Sequence, residues 1–178
     1  MDIRFEEYKE CEIDALVEFL TSDTWRYYGN PNPNPDRIRE MNNDHYYLSE
    51  EVKTIWIILD DIKIGIIRAY DLQDSTPILE IRIHSNYKGR GIGTVAINWI
   101  TEYIFNTFSH IDRIEGDTRQ DNYGMRCVFH KCGYLKEAHH RKAWPCDEGV
   151  FDSIGYAITK DDWANKKVTP FEWNDFKC

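Results

Sequence analysis

The chain has 178 residues, the length of one folded domain with a full hydrophobic core, so we expect a single domain over residues 1–178. Hydrophobic residues make up 42% of it and aromatic residues 14%, which excludes an intrinsically disordered chain. The formal net charge of −9 argues against nucleic acid as the main partner, because phosphate backbones attract basic surfaces, and it suits a cationic substrate.

We expect neither a membrane anchor nor an export signal in this protein. No apolar stretch approaches the roughly 18 residues that cross a bilayer, and the first residues lack the apolar core of a signal peptide. The scattered cysteines have no metal-ligand spacing, so we expect free thiols at Cys11, Cys127, Cys132, Cys146 and Cys178. These features predict a cytoplasmic protein with no membrane partner and no metal.

The first half of the chain predicts two helices and two hairpin strands after an initial strand. Apolar residues at positions 13, 16, 17 and 20 follow the spacing of an amphipathic helix. Residues 25–35 contain three prolines and cannot form regular structure, whereas Asp60-Asp61 separates two apolar runs as a hairpin turn does. The expected elements are a strand at 2–8, helices at 13–20 and 36–42, and strands at 54–59 and 62–70.

The second half alternates helices and strands. Alternation along residues 78–84 puts Leu79, Ile81 and Ile83 on one face of a strand, and the polar residues on the other. Further along, Asp121 or Asn122 is a suitable helix cap. The expected elements are strands at 78–84 and 113–119, helices at 94–108 and from 121 or 122 to 133, and strands at 134–144 and 150–159. This order predicts a mixed α/β sheet.

A glycine-rich loop between a strand and a helix is the most informative motif. Residues 87–94 read YKGRGIGT. Glycines let a backbone approach a ligand closely, and the free N–H groups and dipole of a helix N-terminus hold negative charge. Lys88 and Arg90 add two cations. The loop therefore predicts a ligand that carries a pyrophosphate.

Two other phosphate loops fit this segment less well. A Walker loop requires Gly-Lys-Ser/Thr, which does not occur. Residues 91–96 match the dinucleotide fingerprint G-x-G-x-x-A literally, with Glu115 or Asp117 about 20 residues further on. However, a polar segment separates this match from the strand, and few residues follow it to complete a doubly wound sheet. A dinucleotide-binding oxidoreductase is therefore kept as an alternative.

Two motifs in order resemble the GNAT superfamily of N-acetyltransferases. Residues 88–93 resemble its (Gln/Arg)-x-x-Gly-x-(Gly/Ala) acyl-CoA loop, with Lys88 in the first position, and residues 80–84 resemble its splayed strand. Residues 117–134 resemble its strand, Asn-initiated helix and closing Gly-Phe/Tyr. Residues 137–141 and 151–158 most resemble the branch that contains the ribosomal-protein N-terminal acetyltransferases. The match covers about residues 78–144.

The resemblance implies a fold and a cofactor site. The fold would be a single-domain mixed, mostly antiparallel sheet with helices on both faces and a splayed central strand pair. Acetyl-CoA would be the co-substrate, with its pyrophosphate on loop amides and its pantetheine arm along the splayed strand. The implied contacts are Ile81, Arg82, Ile83, Lys88, Gly89, Arg90, Gly91, Ile92, Gly93, Thr94 and Asn122.

The catalytic groups follow less directly from the sequence. The attacking amine must be neutral, which requires a base or a water relay. Asp117, five residues before Asn122, and Glu80 are the two candidates. Related enzymes often carry a Tyr acid seven residues after the asparagine, where this chain has Phe129, so no general acid is assigned. Tyr27, Tyr28, Tyr46 and Tyr47, with Trp25, would form an acceptor pocket or merely a hydrophobic cover.

The implied activity is transfer of an acetyl group from acetyl-CoA to a primary amine. The acceptor would be a protein N-terminus, as in the resembling branch, or a small cationic amine such as an aminoglycoside or polyamine, which suits the acidic chain. The missing tyrosine leaves a non-catalytic acyl-CoA-binding module as an alternative. A homodimer is a further expectation.

Overall fold

The computed structural model describes residues 2–173 and 175 and contains one sheet with five α-helices in that part of the chain. The strands are β1 (Ile3–Glu7), β2 (Lys53–Leu59), β3 (Ile62–Tyr70), β4 (Ile78–Ile83), β5 (Arg113–Arg119), β6 (Leu135–Cys146) and β7 (Gly149–Thr159). The α-helices are α1 (Ile13–Thr21), α2 (Pro35–Asn43), α3 (Ile92–Thr107), α4 (Tyr123–Lys131) and α5 (Lys160–Asn165). Short 3-10 helices cover Glu10–Glu12 and Ser85–Tyr87.

The sheet has seven strands in the order β1-β2-β3-β4-β5-β7-β6. All neighbours run antiparallel except β4 and β5, which are parallel and joined by the crossover helix α3. The predicted mixed, mostly antiparallel sheet is therefore confirmed. A doubly wound parallel sheet, which the dinucleotide alternative requires, is not the architecture of this chain.

Strand alternation divides the core into two layers on opposite faces of the sheet. Ile55 and Ile57 of β2 point to the layer that α3 and α4 cover, and Trp56 points to the layer under α1 and α2. The larger layer includes the fully buried Ile100 of α3. Burial of each such side chain stabilises the fold by about 1.5–3 kcal/mol. Helices on both faces were predicted and are confirmed.

The central parallel strands β4 and β5 separate almost as soon as they meet. They pair at Ile78 and Glu115 alone. By contrast, every residue of β4 pairs with a residue of β3. Beyond this point, one edge of β4 has no neighbouring strand among the described residues. Backbone groups along such an edge are open to a ligand. The predicted splayed strand pair is thus confirmed, and it creates the opening in which the site lies.

The predicted elements are present, with shifts at their ends. Helix α3 begins at Ile92 rather than at residue 94, because Gly91 takes the left-handed N-cap position with φ of 80°. Strands β6 and β7 extend to a turn at residues 147 and 148, so Pro145 lies within an edge strand. The two 3-10 helices and α5 were not predicted. Thr159 caps α5 by accepting a hydrogen bond from the amide of Asp162.

The remaining expectations from the sequence concern the cysteines, a metal site and membrane helices. Cys11, Cys127, Cys132 and Cys146 have free thiols, and Cys178 lies outside the described residues. Within residues 2–173 and 175, no group of three or more potential ligands could hold a metal ion. Over the same residues, none of the helices has the length and apolar character needed to cross a membrane.

Candidate active site

Two adjoining cavities open where β4 and β5 separate. The larger, which we call the acceptor cavity, has a volume of about 440 Å³ and lies between the sheet and the segment around α2. The smaller, which we call the loop cavity, has a volume of about 330 Å³ and lies beside the glycine-rich loop. The residues that line both cavities are Tyr27, Tyr28, Ile81, Arg82, Asn122 and Met125. The open edge of β4 is therefore the junction between the two cavities.

The loop cavity has the features of a phosphate site. Gly89 and Gly91 adopt left-handed backbone conformations, with φ of 77° and 80°, that only glycine tolerates without strain. Ile92 and Gly93 occupy the first two positions of α3, where amides have no acceptor within the helix. The Thr94 amide already donates to the Gly91 carbonyl at 3.0 Å. The loop thus presents a helix N-terminus to an anion.

The cations near this loop differ from the sequence expectation. Lys88 lines the cavity, and Lys131 at the end of α4 joins it from the opposite side. Arg90 does not line the cavity, because its guanidinium donates to the Asn86 carbonyl at 2.9 Å and lies over the Tyr87 ring. Sequence reasoning missed Lys131, although a cation in the last turn of a helix that begins at the site was the available signal.

The strand residues predicted to contact the cofactor lie at the junction. Ile81 and Arg82 line both cavities, and Ile83 lines the loop cavity. The Tyr28 hydroxyl donates a hydrogen bond to the Ile81 carbonyl, and desolvation raises the pKa of Tyr28 well above its usual value. Tyr28 therefore occupies one backbone acceptor on the open edge. Its place at the junction follows from the tertiary structure rather than from any local motif.

Asn122 serves two protein partners at the start of α4. Its side-chain oxygen accepts from the Met125 amide at 3.3 Å, and its Nδ2 donates to the Thr118 hydroxyl at 3.0 Å. The residue is a helix cap and also faces both cavities. The sequence left two roles open for Asn122, a helix cap and a ligand contact. The two roles are compatible, because the side chain that caps α4 also faces both cavities.

Asp117 lies in the wall of the acceptor cavity on β5. Desolvation by the surrounding wall raises the pKa of its carboxyl group, and the neighbouring charge of Glu115 raises it further. His140 opposes this shift in part. The side chain of Asp117 is nevertheless exposed to the open cavity. A carboxylate with a raised pKa is a stronger base than one with the usual pKa, as proton abstraction from an amine requires.

Glu80, the other predicted base, is held by two arginines. Arg68 Nη1 donates to its Oε2 at 2.7 Å, and Arg82 Nε donates to its Oε1 at 2.9 Å. The guanidinium of Arg68 lies 3.7 Å from the centroid of the Tyr46 ring, and that of Arg82 lies 3.9 Å from the Tyr28 ring. Both carboxylate oxygens of Glu80 therefore accept hydrogen bonds from arginines. Asp117 is thus better placed than Glu80 to accept a proton.

Phe129 fills the position where related enzymes often have a tyrosine. Its side chain is 1% exposed, and its ring stacks on Tyr156. The tip of the ring meets Gly116 so closely that a Cβ atom there would lie 2.5 Å from Phe129 Cζ. A hydroxyl at this tip would press on β5. Position 129 thus has a packing role, and Tyr134 is likewise buried in the core, bonded to Thr101.

The aromatic residues expected around an acceptor pocket are brought together as predicted. Tyr27, Tyr28, Tyr46 and Tyr47 line the acceptor cavity, whereas Trp25 lines the loop cavity. Trp144, at the far end of β6, completes the wall. Seven of the residues that line the acceptor cavity are thus aromatic, and four of its five charged residues lie on the sheet.

Comparison with solved structures identifies the fold. A spermidine N-acetyltransferase from Vibrio cholerae in complex with CoA and spermine is similar with a TM-score of 0.81 at 15% identity, covering 92% of this chain and 98% of that one. A dodecameric spermidine N-acetyltransferase from Vibrio cholerae gives 0.77 at 15%, with 92% and 97% covered. A probable acetyltransferase gives 0.77 at 19%, with 90% and 94% covered.

Sequence comparison identifies the family. No curated protein matches the chain. A family model described as an acetyltransferase (GNAT) domain matches residues 2–135, which includes the loop, the open strand and Asn122. The match thus spans both motifs and the region in which the two cavities meet. The chain therefore belongs to the GNAT acetyltransferase family and is an acyltransferase that uses acetyl-CoA.

Proposed function

We propose that the chain transfers the acetyl group of acetyl-CoA directly to a primary amine bound in the acceptor cavity. The observation that carries this proposal is the meeting of the two cavities at the open edge of β4. A donor in the loop cavity and an amine in the acceptor cavity would have their reacting atoms side by side there. Direct transfer requires this proximity.

Acetyl-CoA would lie with its pyrophosphate at residues 89–93 and its pantetheine arm along the open edge of β4. The amides of Ile92 and Gly93, with Lys88 and Lys131, would hold the phosphates. An amide of the β4 edge near Arg82 would donate to the thioester carbonyl and stabilise the negative charge that develops on it. Arg90 would support the loop rather than the ligand, whereas Thr94 lines the loop cavity and stays a predicted contact.

Asp117 would accept the proton of the attacking amine. The amine nitrogen forms a bond to the acetyl carbon, the carbon–sulfur bond breaks, and the CoA thiolate leaves with its electron pair. Glu80 stays a second candidate from the sequence, but its two arginine partners occupy both of its oxygens. The thiolate is a fairly good leaving group, so transfer does not depend on a tyrosine at position 129.

We further propose that the acceptor is a small amine. A cavity of about 440 Å³ is within the usual range for small-molecule sites. The similar spermidine N-acetyltransferases also favour a small amine over a protein N-terminus. Membership of the ribosomal-protein branch, a cytoplasmic location and a homodimer stay predictions.

A melting experiment followed by turnover measurements tests the proposal. Acetyl-CoA at about 100 times its dissociation constant should stabilise the protein by roughly 2.7 kcal/mol, and NAD should not. Thiol release should then appear with at least one amine from a panel of amino acids, polyamines, aminoglycosides and peptide N-termini. Binding of acetyl-CoA without thiol release from any of them would favour the non-catalytic acyl-CoA module.

A further inference from the structure

The acceptor cavity carries a local charge opposite to that of the whole chain. The formal net charge of the chain is −9. Three arginines line the cavity, whereas its acidic lining residues are Glu80 and Asp117, so the lining sums to +1. The arginines are Arg37, Arg68 and Arg82. Global acidity therefore says little about the ligand that this cavity accepts.

Arg37 is exposed on α2 and pairs with Glu40, so the cations that lie deeper in the cavity are the two arginines on the sheet. The side chain of Arg68 is 8% exposed and that of Arg82 is 16% exposed, yet the two share the single carboxylate of Glu80. One buried and one half-buried cation therefore share one anion, which leaves one charge of the cluster without a partner. A buried charge in this state is costly unless a further anion reaches it.

Arg68 also has a donor that nothing satisfies. Its Nε is buried and has no hydrogen-bond partner in the described chain. The guanidinium faces are covered by Tyr46 and, with 4.7 Å to the ring centroid, by Tyr70. Stacking of this kind fixes the plane of the guanidinium and leaves its N–H groups, which lie in that plane, for planar anions such as a carboxylate. Most buried donors are paired, so the unpaired Nε of Arg68 indicates that a ligand anion binds beside it.

We propose that the Arg68–Glu80–Arg82 cluster binds a carboxylate group of the acceptor, so that the substrate is a primary amine that also carries a carboxylate. This inference rests on the proposed acetyl transfer and specifies its substrate class. Asp117 would take the amine, and the aromatic wall would cover the rest of the molecule. A polyamine fits poorly, because its several ammonium groups would meet a positive cluster, with Asp117 the one lining acid outside it.

Matched amines that differ in the carboxylate test the substrate class. L-phenylalanine would be compared with its amide and with phenethylamine, and L-lysine with cadaverine, with kcat/KM measured by thiol release from acetyl-CoA. We expect kcat/KM for each amino acid to exceed that of its partner without a carboxylate by roughly tenfold or more, the usual effect of a charge-assisted hydrogen bond. Equal or better use of phenethylamine and cadaverine would overturn the inference and leave the acetyltransferase proposal standing.

A binding measurement separates this inference from turnover. Calorimetric titration of the CoA-loaded protein with 3-phenylpropionate, which has a carboxylate and no amine, should show binding. Arg82→Gln should weaken it by about tenfold, and Arg82→Lys by less, because lysine keeps the charge but not the planar donor pair. Arg39→Gln is the matched control, since Arg39 lies on α2 outside the cavity lining and pairs with Asp14 of α1.

The outcomes are distinct for each proposal. If 3-phenylpropionate does not bind, or if Arg82→Gln and Arg39→Gln bind it equally, the cluster is a structural ion triad and the inference is wrong even when amines are acetylated. Carboxylate binding that depends on Arg82 but comes without acetylation of any amine would contradict the proposed transfer, and with it the assignment of the carboxylate to an acceptor.

Discussion

At the scale of single residues, surroundings decide what two similar carboxylates can do. Asp117 and Glu80 both line the acceptor cavity. Arg68 and Arg82 hold the carboxylate of Glu80, whereas desolvation and Glu115 raise the pKa of Asp117. The sequence identified both residues as candidate bases. It could not rank them, because the ranking depends on neighbours that are distant along the chain.

Replacement of Asp117 by asparagine separates its catalytic and structural effects. We expect Asp117→Asn to lower kcat at least tenfold and to remove the acidic limb of the pH–rate profile, since that limb would reflect protonation of the base. Steady-state rates across pH measure this result. An unchanged acidic limb would assign the base to another group, and Glu80→Gln would then be the next variant.

The same variant has a predictable effect on stability. A pKa that is raised by folding gives a stability contribution that is present at low pH and is lost as pH rises through the folded pKa. Asp117→Asn, which stays neutral, should therefore match the wild type in acid and melt at a higher temperature at neutral pH. Melting curves at several pH values check this. Equal melting temperatures at all pH values would contradict the raised pKa.

At the scale of elements, the connection from β4 to α3 defines the donor side of the site. The glycine spacing identified it from sequence because left-handed backbone positions are a local property. Gly91 occupies the N-cap of α3 with φ of 80°. The contribution of Lys131 was not visible in the same way, since α4 reaches the loop only after the chain has crossed the sheet.

Replacement of Gly91 should weaken acetyl-CoA binding. Any L-residue at this φ is strained by about 1 kcal/mol or more, and relief of that strain would turn the first amides of α3 away from the ligand. We expect Gly91→Ala to raise the dissociation constant for acetyl-CoA roughly tenfold, measured by calorimetry.

Gly29→Ala is the matched control for this substitution. Gly29 has open space for a Cβ atom and no left-handed backbone conformation. We therefore expect the control to bind acetyl-CoA as the wild type does. Equal affinities for Gly91→Ala and the wild type would mean that the loop does not hold the phosphates.

At the scale of the whole molecule, Arg119 joins segments that are far apart in sequence. Its side chain is 1% exposed and bonds Asp121 at 2.6 Å and Glu148, in the turn between β6 and β7, at 3.1 Å. Its guanidinium also lies over the rings of Phe151 and Tyr27. Because Tyr27 lines both cavities, this buried arginine links the stability of the fold to the shape of the site.

Removal of this arginine should destabilise the protein strongly. We expect Arg119→Met to lower the free energy of unfolding by about 2–4 kcal/mol, since it removes a buried guanidinium that bonds Asp121 and packs over the rings of Phe151 and Tyr27. Arg113→Met is the control on the same strand. Arg113 is 31% exposed and pairs with Glu115 and Glu137, so its loss should cost less than about 1 kcal/mol. Denaturant titration compares the two, and similar losses would contradict the role of Arg119.

The sequence by itself determined the local and periodic features of this protein. Strand alternation, helical spacing, the turn at Asp60-Asp61 and the glycine loop each depend on a short segment. For this reason the mixed sheet could be predicted and a candidate phosphate loop could be located from sequence alone. The helix α5 and the extension of β6 through Pro145 were missed, because a short helix has little periodicity and an edge strand tolerates proline.

Only the tertiary structure decided which side chains share the site. Tyr28 reaches the Ile81 carbonyl across 53 positions of the chain, and Arg68 meets Glu80 through pairing of β3 with β4. The raised pKa of Asp117 and the packed ring of Phe129 likewise depend on neighbours from several elements. Charge, desolvation and packing act through space. For this reason the type of reaction was predictable from the sequence, whereas the electrostatics of the acceptor cavity required the fold.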